Sequence, residues 1–324
     1  MQKWFKNIPE GTKDSLFEEC KIKRKVENEL KTVFEGMGYN EIITPSIEFL
    51  DVFYATDTFK SENMYKLSDA KNRLLVLRPD CTTPIARVVS TRLKDVKRPI
   101  KLYYNQNVFR ANDNFNGKRD EFTQSGVELI GADGFKADLD IILTAISALK
   151  SCFGNDFKVE IGHIGFFKAI AELCQLSNED YELSRNLIEQ KNLASLNALL
   201  SKYGQKAEKL KMLPRLFGGN EVFVEAEKLK LNKQANDILN YLKKLYDELC
   251  NLGYKDNIIV DLGLVNKINY YTGIVFIGYV DGSGKKVLSG GRYDNLLSKF
   301  GTDEDATGFA INVDCVADII LKKK

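Results

Sequence analysis

The chain has 324 residues, 44% of them hydrophobic and 28% charged, which is ample for a buried core and ordinary for a water-soluble globular protein. Its 47 lysines and arginines stand against 45 aspartates and glutamates, and a formal charge of +2 gives no field that argues for a nucleic-acid partner. No apolar run approaches the roughly 20 residues of a membrane helix, and the N-terminal MQKWFKNIPEGTKD lacks a signal-peptide centre, so a cytoplasmic protein with no membrane partner is expected. The six cysteines (Cys20, Cys81, Cys152, Cys174, Cys250, Cys315) are scattered without a CxxC pair, which reads as reduced thiols rather than a disulfide framework or zinc site. The single histidine, His163, closes a strand-like run and reads as structural, so neither His-rich metal binding nor a bound cofactor is expected.

In chain order, Ser15-Leu16-Phe17-Glu18 fits a capping box. Behind it Leu16, Cys20, Val26, Leu30, Val33 and Met37 recur at helical spacing until Gly36 and Gly38. A short strand at 41–44 stops at Pro45. Leu74–Leu77 reads as another strand, running into Arg78-Pro79-Asp80-Cys81-Thr82-Thr83-Pro84 and a helix through Leu93. Strands follow at about 101–110 and 121–131, then a helix at about 136–152 and a strand at 158–161. From about 176 to 253 the pattern is amphipathic helix with no β-like run, and strand character returns from 257 to about 313. The expected fold class is α+β: a mainly antiparallel sheet with helices packed on it, its two parts (1–175 and 254–324) separated by a helical insertion at 176–253.

Three stretches carry polar residues where a core strand has no need of them. In RDEFTQSGVELIGA, alternation puts Gln124, Gly126 and Glu128 on one face and Thr123, Val127 and Leu129 on the other. An amide and a carboxylate flanking a glycine leave room for a small polar ligand, although a solvated face with a bulge at Gly126 fits the pattern equally. Near it a strand ends in Arg110 before a polar loop at 111–120, and GGRYDNLL places paired glycines ahead of Arg292 and Tyr293. The third stretch, LVNKINYYTG at 264–273, joins two apolar runs with a connection too long and too polar for a tight turn.

Together and in this order, LRPDCTTPIARV, VFRANDNFNGKRDEFTQSGVELIG, LVNKINYYTG, LSGGRYDNLL and GFAINVD resemble the sequence blocks of the histidyl-tRNA synthetase catalytic core. The resemblance runs from about Gly11 to the end and implies a class II aminoacyl-tRNA synthetase-like antiparallel sheet flanked by helices, with a helical insertion. Residues 39–45 are similar to that family's dimer-forming first motif. The departures fall on the ATP side. An arginine that meets the α-phosphate becomes Asn266, the second motif's Phe-Arg-x-Glu becomes Phe109-Arg110-Ala111-Asn112, and the third motif's Glu-Arg becomes Asp314-Cys315. Neutral amides and a thiol cannot offset charge building on phosphoryl oxygens, so the resemblance implies no catalytic residues here. No anticodon-binding domain is expected after the third motif.

The histidine side of the family's pocket is kept. The resemblance implies Asp80 (glutamate in the synthetase) and Thr82 at the ligand's ammonium, and Arg110 and Gln124 near its carboxylate. It implies Glu128 and Tyr271 on the imidazole, with Tyr293 closing the site. A core of this kind resembles the family of ATP phosphoribosyltransferase regulatory subunits. That implies a non-catalytic homodimer within a hetero-oligomer with short-form catalytic subunits, carrying L-histidine feedback on the first step of histidine biosynthesis. The alternatives are a minimal aminoacyl-adenylating or aminoacyl-transfer enzyme, and a free-standing histidine sensor.

Overall fold

The computed structural model describes residues 4–56, 58–112, 119–265 and 270–323. Helix α1 (Glu18–Gly36) buries Ile22, Val26, Leu30 and Phe34, a stripe of four-residue steps along one side. The expected capping box is absent. The helix starts at Glu18 behind Phe17, whose φ is 46°, and no side chain caps it. Upstream of it, Asp120 N–H donates to the Gly11 carbonyl at 2.7 Å, tying the preceding chain to the 119–121 segment. Leu16, Cys20 and Met37, expected on the buried stripe, are exposed.

The main sheet is built from β1 (Asn40–Glu41), β5 (Ile100–Phe109), β6 (Glu121–Ile130), β7 (Phe157–His163), β8 (Phe217–Gly218), β9 (Ile258–Asp261), β10 (Ile274–Val280), β11 (Lys286–Arg292) and β12 (Ala306–Asn312). Their order is β1-β5-β6-β12-β11-β10-β7-β9-β8, with β1–β5 and β7–β9 parallel and the other pairs antiparallel. The strand expected at 41–44 is thus two residues long and ends before Pro45. Leu74–Leu77 is a strand, β4, but it lies in a separate three-stranded sheet between β2 (Ile47–Phe49) and β3 (Lys66–Ser68).

Helices α2 (Leu50–Tyr54) and α3 (Thr82–Arg92) follow these short strands, α4 (Gly134–Phe153) follows β6, α5 (Ile164–Cys174) follows β7, and α11 (Val313–Lys323) ends the described chain. The segment expected to be all helix holds α6 (Asn178–Glu189), α7 (Leu193–Leu200), α8 (Glu208–Met212), α9 (Glu221–Glu227) and α10 (Lys233–Leu249). It also holds β8, which pairs Phe217 with Asp261, a contact too short and too distant in sequence to show in local pattern. Leu196, Leu200, Leu210, Leu242 and Leu249 from this segment join one buried cluster with Ile141 of α4 and Ile161 of β7. Val127 and Leu129 of β6 belong to that cluster, whereas Tyr104 and Val275 on the other side of the sheet pack with Ile85 and Val89 of α3. Among the described residues, no helix is long and apolar enough to cross a membrane.

A candidate amino-acid pocket

The α3 side of the sheet carries a cavity of about 600 Å³. Its floor follows from strand periodicity: Gln124 and Glu128 of β6 point into it, while Val127 and Leu129 point to the core. Pairing of β6 is unbroken on both sides, Gly126 lying opposite Tyr104 and Ala310, so there is no bulge at Gly126. Gly126 is small because a Cβ there would sit 2.6 Å from the Tyr104 hydroxyl oxygen. Gly308 lies directly across from Glu128, and a Cβ there would collide with Glu128 Oε2 and come within 2.5 Å of the Val127 carbonyl oxygen. The two glycines leave the space that the Glu128 carboxyl group and a ligand need.

All seven residues named from the sequence, Asp80, Thr82, Arg110, Gln124, Glu128, Tyr271 and Tyr293, line this one cavity. Thr82, assigned by resemblance to the ligand's ammonium, donates its hydroxyl to Glu128 Oε1 at 2.7 Å, and the Tyr293 hydroxyl donates to Glu128 Oε2. Burial pushes the Glu128 carboxyl up to about 8, against the two hydroxyl bonds, which favour the carboxylate. Asp80 precedes α3 and accepts from Thr83 N–H at 3.2 Å and from the Thr83 hydroxyl at 3.3 Å. Burial raises it to about 6, the nearby Arg110 charge acting in the other direction.

Arg110 donates its Nε–H to the Pro79 carbonyl at 2.8 Å. Its guanidinium carbon lies 5.3 and 5.2 Å from the ring centres of Phe59 and Phe122. Neither terminal nitrogen has a hydrogen-bond partner among the described residues. Tyr270 joins Tyr271 and Tyr293 in an edge-on aromatic wall, with ring centres 4.9 and 5.6 Å apart. Tyr104, Phe59 and Phe122 complete the apolar lining, while Glu189 of α6, Lys286 of β11 and Asn312 of β12 add polar groups. Sequence reasoning assigned none of these six a role. Glu189 and Lys286 come from the insertion and a hairpin, and no local spacing connects them to β6.

On the side where the synthetase resemblance places ATP, Asn266 lies outside the described residues. Asn112 donates to Asp120 Oδ1 at 2.9 Å and to the Arg110 carbonyl at 3.1 Å, so its amide ties its own loop. Cys315 lies half-buried in the first turn of α11, and burial raises its thiol pKa. Its neighbour Asp314 accepts from Thr123 N–H at 2.6 Å and pairs with Arg119 and Lys23 at 2.8 and 2.9 Å, fastening α11 to β6 and α1. His163 caps α5, its Nδ1 accepting from Gly165 N–H at 3.0 Å, and burial lowers its pKa to about 4, so the ring is neutral.

The histidyl-tRNA synthetase family profile matches residues 11–316. A crystal structure described as an ATP phosphoribosyltransferase regulatory subunit/histidyl-tRNA synthetase from Bacillus halodurans superposes with a TM-score of 0.89 at 34% identity, covering 97% of this chain and 83% of that one. The architecture is therefore a class II aminoacyl-tRNA synthetase fold of the histidyl type. A Clostridium botulinum protein named ATP phosphoribosyltransferase regulatory subunit is 46% identical, the match covering 100% of this chain and 78% of that protein. One of the same name from Clostridium kluyveri is 47% identical, covering 97% of this chain and 82% of its own length. The chain belongs to the family of ATP phosphoribosyltransferase regulatory subunits, within the wider histidyl-tRNA synthetase family.

Proposed function

We propose that this chain is the non-catalytic regulatory partner of a short-form ATP phosphoribosyltransferase catalytic subunit in the cytoplasm, and that its cavity binds L-histidine as the feedback signal. The observation that carries the reading is Glu128: a fully buried carboxyl group, held by two hydroxyls, in the same cavity as the clamped Arg110 and the buried Asp80. Histidine has three polar ends, and these three groups suit them: imidazole to Glu128, carboxylate to Arg110, ammonium to Asp80. An apolar isostere of histidine would bury itself against the Glu128 carboxyl group without offering it a further hydrogen bond, which discriminates against it. The ATP side supports a non-catalytic role, because Asn112 is spent on its own loop and Cys315 carries no positive charge. For feedback to operate, histidine must prefer one state of the assembly over another.

The test is the reconstituted assembly. Glu128→Ala is expected to weaken inhibition by histidine by about 1–3 kcal/mol, roughly 5- to 150-fold, with uninhibited activity largely kept. Tyr271→Phe loses one hydroxyl and should cost about 0.5–1.5 kcal/mol. An inhibition constant unmoved in both variants, with activity normal, would put the histidine site elsewhere. Histidine-dependent pyrophosphate–ATP exchange by the isolated protein would instead favour the adenylating enzyme.

A further inference from the structure

Tyr271 and Tyr293 are held by neighbours that do not themselves line the cavity. Thr272 N–H donates to the Arg292 carbonyl at 2.8 Å, and the Thr272 hydroxyl donates to Asp294 Oδ2 at 2.9 Å. Asp294 N–H returns a bond to Thr272 Oγ1 at 3.1 Å, and Tyr293 N–H donates to the Ala306 carbonyl at 2.7 Å. Asp294 Oδ1 accepts from Ala306 N–H and from Arg292 Nη1, both at 3.1 Å. Residues 271–273 and 292–294 are thereby clasped side by side.

Arg292 anchors the clasp from below. Its Nε donates to Asp138 Oδ1 of α4 at 2.9 Å, the Nη2 nitrogen of the ion pair lies 2.6 Å from the same oxygen, and both residues are buried. Its aliphatic stem lies on Gly273, where a Cβ would come 2.9 Å from Arg292 Cδ. The second Asp138 oxygen accepts from the Tyr241 hydroxyl of α10 at 2.5 Å, and the Tyr241 ring packs edge-on against Phe135 and His163. An apolar cluster could replace a buried ion pair with little loss of stability, so stability alone is a poor reason for one here. What the pair supplies is directed geometry, aimed at two segments that each carry a cavity tyrosine.

We propose that Arg292 and Asp138 are positioning residues for the cavity: they fix Tyr271 and Tyr293 in place, and Tyr241 couples that arrangement to helix α10. The ligand assigned to this device rests on the histidine reading, whereas the clasp itself does not. Tyr241→Phe in the full chain removes one hydroxyl and leaves the ion pair. In the absence of any ligand, hydrogen exchange at the amides of Thr272, Tyr293 and Asp294 is expected to quicken about tenfold, with β6 amides unchanged. Unchanged exchange at these three amides, or equal acceleration along the whole chain, overturns the proposal. Arg292→Lys keeps the charge and loses the fork, and calorimetry should show histidine bound about tenfold more weakly. Wild-type affinity in a folded Arg292→Lys protein also overturns the proposal. If the wild-type chain binds no histidine, the histidine reading falls, and the exchange result still decides the clasp.

Discussion

Glu128 and Asp80 together set a pH window for the cavity. Burial raises both, Glu128 to about 8 and Asp80 to about 6, so between these values the free pocket holds a protonated Glu128 and an ionised Asp80. An imidazole of ordinary pKa about 6.5 is neutral over most of that range. In the proposed complex it would take the Glu128 proton and bind as an imidazolium–carboxylate pair with no net exchange of protons, while ionised Asp80 would meet the ammonium. Below about 6 the protonation of Asp80 weakens the ammonium contact, and above about 8 the proton that the imidazole needs has left Glu128. Histidine affinity should therefore be greatest between about pH 6.5, the ordinary imidazole value, and pH 8, with calorimetric heats there independent of the buffer's ionisation enthalpy. An affinity that climbs tenfold per unit up to pH 8, with one proton released, would mean that neutral imidazole meets the carboxylate. The seven residues named from the sequence were legible as lining one cavity because each sits in a motif that carries its own position. Glu189 and Lys286 were not, because only the fold brings α6 and β11 to the same cavity.

Among the elements, β6 was the most legible, since its two-residue alternation separates Gln124 and Glu128 from Val127 and Leu129 whichever strands lie beside it. What alternation cannot supply is the neighbour. Leu74–Leu77 was recognised as a strand, yet local pattern did not say that it belongs to a second sheet. Ser15-Leu16-Phe17-Glu18 fits a capping box locally, yet the helix starts at Glu18 with no side-chain cap and with the preceding chain bonded at Gly11 to Asp120. The pairing of β6 with β12 shows the same dependence, since Gly308 matters only because it stands opposite Glu128. Gly308→Ala would press a methyl group onto the Glu128 carboxyl group and the Val127 carbonyl, backbone that cannot move away without breaking the ladder. We expect a loss of about 1–3 kcal/mol in urea unfolding, together with the loss of detectable histidine binding. Gly282→Ala, at a turn where a Cβ meets nothing within 4 Å but φ is +76°, provides the contrast: backbone strain with histidine affinity kept. Equal histidine affinity in the Gly308→Ala protein would show that the β6–β12 floor does not shape the site.

For the whole molecule, the surface at 39–49 remains to be explained by something outside one chain. Ile43 is 79% exposed and lines a groove of about 590 Å³ with Pro45, Arg87, Arg92 and Leu102, and Ile47 and Phe49 are 47% and 44% exposed. Scattered exposed apolar residues are ordinary, but three within seven positions, one of them in a groove, are of the kind that associating surfaces present. The segment is also the one that resembles the dimer-forming motif of class II synthetases, an argument by fold analogy that exposure supports independently. We expect the isolated protein to sediment as a homodimer at micromolar concentration, with the catalytic subunit recruited to that dimer. Ile43→Asp should yield monomers, since burying an unpaired carboxylate against apolar neighbours costs several kcal/mol. Because Ile43 does not line the cavity that holds Glu128, its variant should bind histidine as the wild type does. A wild-type monomer at that concentration would remove this surface from the assembly, and an Ile43→Asp dimer would move the interface to another face.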